Sequence, residues 1–71
     1  MFSTSLANGL RLLASFQVDA PVLSNRELAE RTGLSKASVS RLTYTLCELG
    51  FLKYDAQERR YRLGSATLAA G

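Results

Sequence analysis

Apolar residues recur along the first part of the chain with a helical period and along the last part by alternation. From Ser5 to Phe16, Leu6, Leu10 and Leu13 share one face, which predicts a helix. Asp19-Ala20-Pro21 ends it, because proline cannot continue a helix and turns the residue before it toward extended backbone. Val22 and Leu23 have room for a brief strand. Ser24 and Glu27 have the spacing in which each side chain caps the other's backbone N–H, so a second helix opens there. Gly33 stops it by taking the left-handed conformation that follows a helix C-terminus. Ser35 caps a third helix, from Lys36 to about Leu49, and Gly50 terminates that one. Beyond it, "FLKYD" (51–55) and "RYRL" (60–63) are short, alternating and aromatic-containing, with a polar turn over Ala56 to Arg59. This predicts a β-hairpin. Gly64 closes the hairpin, and "SATLAAG" starts another helix.

Asn25 to Tyr44 reads as helix, turn, helix. Two helices meeting steeply across a 3–4-residue turn, often glycine-containing, form the helix-turn-helix unit. Ala29 allows close approach, Gly33 supplies the turn, and Leu28, Leu34, Val39 and Leu42 are the expected shared core, with Leu46 and Leu49 extending the stripe. A plain helical hairpin meets fewer of these requirements together. With the hairpin following, the fold class expected is mainly α with a small β-hairpin: a winged helix-turn-helix of three core helices plus a wing, over residues 1–64. Residues 65–71 are expected to begin a linker helix toward an effector-binding domain that lies outside this sequence.

On a wheel of about 100° per residue, Ala37, Ser40, Arg41 and Tyr44 lie opposite the core stripe of the third helix, with Ser38 and Lys36 at the flanks. Short side chains near a helix N-terminus let the helix sink into a major groove. Arginine grips guanine O6 and N7 with two parallel bonds, whereas serine bonds several bases and discriminates poorly alone. The free N–H groups at the start of this helix suit a phosphate. Ser35, Lys36, Ala37, Ser38, Ser40, Arg41 and Tyr44 are therefore the expected contacts to double-stranded DNA. The bland reading is that Ser35 only caps, that Ser38 and Ser40 face water, and that Tyr44 packs on the hairpin. In the hairpin, Arg60 and Arg62 alternate with Tyr61 and Leu63, so one face packs while the wing carries Arg59, Arg60 and Arg62 to the backbone or minor groove. A solvated strand face is the alternative.

Charge placement fits the same partner. The net charge is only +3, but Arg11, Arg26 and Arg31 are offset by Asp19, Glu27 and Glu30, so the whole excess lies in residues 36–71. A basic half is what a polyanion selects, although a merely solvated surface has the same composition. Zero histidines and a single cysteine leave no zinc site and no internal disulfide. With no paired carboxylates and no glycine-rich phosphate loop, no catalytic constellation can be assembled, so neither an enzyme nor a cofactor is expected. Cys47 is read as a small filler. Nothing in Met1 to Leu13 resembles a signal peptide and no apolar run is long enough for a membrane span, which points to a cytoplasmic protein. A chain of 71 residues forms one small domain, which buries only about 60% of its unfolded surface.

The first helix carries more apolar surface than one small core needs. Leu12 and Phe16 widen its stripe one way, Ala7 and Ala14 the other, leaving a polar strip of Asn8, Arg11 and Ser15. Leu6, Leu12 and Phe16 are the expected interface of a homodimer, whose two-fold axis would match a palindromic operator. Burial of the surplus by the hairpin is the alternative.

With these residues in view, the chain resembles the N-terminal domain of the isocitrate lyase regulator (IclR) family of bacterial transcription factors, from about Ser5 to Gly64. The resemblance rests on "SLANGLRLL", "ELAERTGLSKASVSRLTYTLCELGFL" and "RYRLG". It implies a dimeric promoter-binding domain, with operators read by residues matching Lys36, Ala37, Ser38, Ser40 and Arg41. It also implies that a small-molecule effector acts through a further C-terminal domain. The chain departs from the pattern at Asn8, where the family often has a basic residue, and at Ser35, where it commonly has proline. A winged helix that binds protein instead of DNA is the competing function; it would expose apolar residues on the outer face of the third helix.

Overall fold

Short-range chemistry divides the chain where the sequence says it should. A computed structural model describes residues 1–70, with side chains through Leu68. Gly71, the last residue of the expected linker segment, lies outside the described residues. Helix α1 spans Thr4–Ala14, capped by the Ser3 hydroxyl, which accepts the N–H of Leu6. Strand β1 is Val22–Leu23 and helix α2 is Asn25–Thr32. Both halves of the capping box at α2 form: Ser24 N–H donates to Glu27 Oε1 at 2.8 Å, and Glu27 N–H donates to Ser24 Oγ at 3.2 Å. Gly33, with φ of 77°, closes α2 by donating its N–H to the Ala29 carbonyl. Helix α3 runs Lys36–Glu48, and β2 (Leu52–Asp55) and β3 (Arg60–Leu63) follow, then α4 from Ser65.

The hairpin is not an isolated ribbon. β1 pairs antiparallel with β3, Val22 opposite Arg62 and Leu23 opposite Tyr61, giving a three-stranded sheet in the order β1-β3-β2. Opposite residues share a face. One face therefore carries Leu23, Leu52, Tyr54, Tyr61 and Leu63, and the other Val22, Lys53, Asp55, Arg60 and Arg62. The first face lies on the helices, with Leu23 and Leu52 buried. Four-helix-and-sheet architecture of this kind is a winged helix-turn-helix, as the pattern predicted.

The core consists of Leu12, Phe16, Leu23, Leu28, Val39 and Leu52, with Leu13, Ala29, Leu34, Leu42, Leu46 and Tyr61 packed around it. Three expectations fail here. Leu12 is fully buried and Phe16 nearly so, so neither can face a second subunit; only Leu6 of that set remains on the surface. The stripe read as Leu6, Leu10 and Leu13 is also rotated, with Gly9, Leu12 and Phe16 turned inward while Leu6 and Leu10 stay outside. The reason is that α1 is apolar over most of its circumference, so its period left the azimuth open, and packing on α2 and α3 chose it. On α3 the inward line is Val39 and Thr43, with Leu49 61% exposed instead of ending the stripe. Thr43 is tolerated in the core because its hydroxyl donates within α3, to the carbonyls of Val39 at 2.8 Å and Ser40 at 3.1 Å.

α4 is set by a close approach of two backbone segments. Gly64 N–H donates to the Phe51 carbonyl at 2.8 Å, and the Gly50 carbonyl accepts Ala66 N–H at 3.1 Å. A Cβ at Gly64 would collide with that Gly50 carbonyl.

Candidate nucleic-acid interface

The outer ridge of α3 begins at its cap. Ser35 Oγ accepts the N–H of Ser38 at 3.1 Å and lies 3.1 Å from Ser38 Oγ, so its hydroxyl is occupied within the turn. Ser35 is thus the cap foreseen as the bland reading, and its capacity for an outside partner is reduced to what those two bonds leave free. Lys36, Ala37, Ser40, Arg41 and Tyr44 are exposed and follow one another along the ridge; Ser38 is half-buried at its side. Tyr44 is 69% exposed and does not pack on the hairpin. Among the described residues, no carboxylate oxygen lies within 4.0 Å of the Lys36 or Arg41 side-chain nitrogens. Two cations, a small residue and two hydroxyl-bearing side chains are therefore held outward with no internal ion pair to give up.

Behind the ridge, Ser38 and Arg41 share a shallow notch with Ser5 and Asn8 of α1. The sequence placed Asn8 only on a polar strip of α1; that strip turns out to border the ridge. From the other side, Asn25, the first residue of α2, donates from Nδ2 to Ser40 Oγ at 3.2 Å. Nothing in the sequence signals this pair, since the partners are 15 residues apart on different helices.

The wing arginines are not equivalent. Arg60 Nη1 lies 3.6 Å from Glu27 Oε1, the same oxygen that caps α2, and Arg62 Nη2 lies 3.6 Å from Asp55 Oδ2. Asp55 also shapes the turn, its Oδ1 accepting the N–H groups of Gln57 and Glu58. Arg59 sits at the end of that turn with φ of 55° and has no carboxylate within 4.0 Å among the described residues. Lys53, absent from the sequence-based set, stands directly opposite Arg62 and adds a cation to the same face. Strand alternation held the signal for it, but the register was needed to align it with Arg62. The Glu27 carboxyl is held below its ordinary value, first by the Ser24 N–H and hydroxyl and then by Arg60 and Arg31. The Cys47 thiol is pushed up by burial and by Glu48, which keeps it in the un-ionised, unreactive form.

A second surface feature lies between α1 and the far half of α3. Leu6, Leu10, Leu13, Leu42, Leu46, Leu49 and Phe51 line an apolar groove, floored by Gly9, which faces Leu42. Leu6 is 63% and Leu10 58% exposed there. No helix among the described residues is long and apolar enough to cross a membrane, and no group of three or more histidine, cysteine or acidic residues is placed to hold a metal ion.

Comparison with known proteins gives a consistent picture. Residues 5–56 match the model of the IclR helix-turn-helix domain. The HTH-type transcriptional regulator TsaQ1/TsaQ2 of Comamonas testosteroni is 46% identical over 67 residues, covering 94% of this chain and 24% of that protein. The p-hydroxybenzoate hydroxylase transcriptional activator of Acinetobacter baylyi is 41% identical over 54 residues, 76% of this chain and 20% of that one. Among solved structures, an IclR family transcriptional regulator from Brucella abortus superposes with a TM-score of 0.96 at 45% identity, over 100% of this chain and 27% of that one. The chain thus spans about a quarter of the length of such relatives.

Proposed function

The chain belongs to the IclR helix-turn-helix family, and from that premise we propose that α3 enters the major groove of an operator while the sheet turn rests on the backbone beside it. As a member, the chain is a DNA-binding domain of the kind found in transcriptional regulators and not an enzyme. The residues assigned to the groove are Lys36, Ala37, Ser40, Arg41 and Tyr44, with Ser38 at the edge and Ser35 offering mainly the helix N-terminus it caps. Arg59 and Lys53 join Arg60 and Arg62 as phosphate contacts of the wing. The observation that carries this reading is the uncovered outer ridge of α3, with Arg41 and Lys36 free of carboxylate partners among the described residues. A protein-binding winged helix would need an apolar ridge, whereas the exposed Leu6, Leu10 and Leu49 lie elsewhere, in the groove between α1 and α3.

That groove is assigned to a second copy of the chain. Leu6, Leu10 and Leu49 meet their counterparts across a two-fold axis, so two recognition helices read a palindromic site with half-sites about one helical turn, ~34–36 Å, apart. α4 then leads toward the effector-binding part of the protein, through which a small molecule adjusts operator affinity at cytoplasmic DNA. The test is selection of bound sequences from a random duplex pool. Enrichment of a palindrome with that spacing supports both assignments. A single unpaired motif removes the dimer, and a pool that returns no motif removes the sequence-reading role.

A further inference from the structure

We propose that Asn25, although it stands on α2, fixes the hydrogen-bonding polarity with which Ser40 meets a base, and so is a positioning residue for sequence discrimination. The inference rests on the assignment of the α3 ridge to the major groove. Asn25 is half-buried at the start of α2, where its Nδ2 donates to Ser40 Oγ at 3.2 Å. Its Oδ1 is turned inward and buried with no partner, while Nδ2 faces α3.

A serine hydroxyl has one proton to donate and two lone pairs that accept. Left to itself it rotates to suit any base edge, which is why serine reads sequence poorly. Here one lone pair is already taken by Asn25. Among the described residues no acceptor takes the Ser40 proton in return; the nearby Thr43 hydroxyl bonds the Ser40 carbonyl, not its side chain. Accepting a bond polarises the O–H and makes it a better donor. Ser40 is therefore presented to the groove chiefly as a donor. In the major groove the acceptors are guanine O6 and N7, adenine N7 and thymine O4, while cytosine N4 and adenine N6 are donors. At the base that Ser40 meets, guanine or thymine is favoured and cytosine disfavoured. One neutral hydrogen bond made or lost corresponds to a preference of about three- to tenfold.

The substitution that isolates this effect is Asn25→Asp. A carboxylate only accepts, so it takes the Ser40 proton and leaves lone pairs facing the groove. It suits the helix start, where negative charge is favourable. Its charge weakens binding on all sequences alike, so the readout is base frequency at one operator position and not affinity. The experiment is selection from one random duplex pool at one salt concentration with four proteins: the unaltered chain, Ser40→Ala, Asn25→Ala and Asn25→Asp. Ser40→Ala locates the position by erasing its preference. At that position the unaltered chain selects guanine or thymine, Asn25→Ala falls to within about twofold of indifference, and Asn25→Asp selects cytosine or adenine. The remaining positions stay as in the unaltered chain, which shows that the variants fold and dock. An unchanged preference in Asn25→Asp, or cytosine selected by the unaltered chain, overturns the inference while leaving the groove assignment intact. A Ser40→Ala motif identical to the original removes the inference with its premise. No motif from any of the four proteins refutes the groove assignment itself.

Discussion

Leu6 and Leu12 lie six residues apart on α1, and truncating each to alanine separates core from interface. Leu12 is fully buried among Phe16, Leu23, Leu28, Val39 and Leu52. Removing three carbons from such a site destabilises by about 2–5 kcal/mol, the transfer term plus the cavity left behind. A domain of this length has a total stability of only about 4–10 kcal/mol, so Leu12→Ala removes a large share of it. Leu6 is 63% exposed in the single chain, so Leu6→Ala leaves monomer stability almost unchanged. If the apolar groove meets a second copy, that exposed fraction is what association buries. Full burial of a leucine is worth about 1.5–3 kcal/mol, so the exposed part corresponds to about 1–2 kcal/mol per copy. Two-fold symmetry doubles this to about 2–4 kcal/mol, or roughly 30- to 1000-fold in the dimer dissociation constant. Urea unfolding at several protein concentrations reads the first effect, because only coupled association makes the midpoint concentration-dependent. Sedimentation equilibrium reads the second. The reasoning is refuted if Leu12→Ala costs less than about 1 kcal/mol while weakening association, or if Leu6→Ala leaves the dissociation constant within twofold.

Further outcomes follow from the ion pairs, the ridge and the backbone. Arg59→Ala should lower the slope of log K against log salt by about 0.9, one phosphate's worth; Arg60→Ala should lower it less, because Arg60 shares its charge with Glu27 at 3.6 Å. Equal slopes for the two variants would show that the pair opens fully on DNA. Arg41→Ala should weaken the selected operator by about 1–3 kcal/mol and relax one position, and an equal loss on every sequence would make Arg41 a phosphate contact. Because the folded Glu27 carboxyl titrates below its ordinary value of 4.5, its stabilising contribution is present above that value and fades as pH falls through the lowered one. Urea midpoints taken at pH 6 and pH 3 should therefore converge for the unaltered chain and Glu27→Gln, whose amide still fits the capping box; a constant gap would remove Glu27 from the acid response. Gly64→Ala should destabilise by about 1–3 kcal/mol, since the added Cβ meets the Gly50 carbonyl, which is backbone and cannot swing away; calorimetry showing an unchanged midpoint would refute that.

What the residues determined alone was the chain's punctuation and the nature of its ridge. Ser24 with Glu27, Gly33, Ser35 and the alternation of "RYRL" act over three or four positions, and physics at that range needs no tertiary partner. The small and basic outer side of α3 was legible for the same reason: opposite a clear apolar stripe, side chains have nowhere to go but out. Packing decided the rest. α1 carries apolar side chains over more than half of its circumference, and its period cannot say which of them α2 and α3 will cover; the domain took Leu12 and Phe16 and left Leu6 and Leu10 outside. On α3 a threonine reached full burial because its hydroxyl could be satisfied within the helix, while Leu49 stayed outside. The joining of Val22 and Leu23 to the wing, the pairing of Arg60 with Glu27 and the bond from Asn25 to Ser40 all link segments distant in sequence. Contacts of that kind depend on register and helix rotation, which are fixed only once the whole core closes.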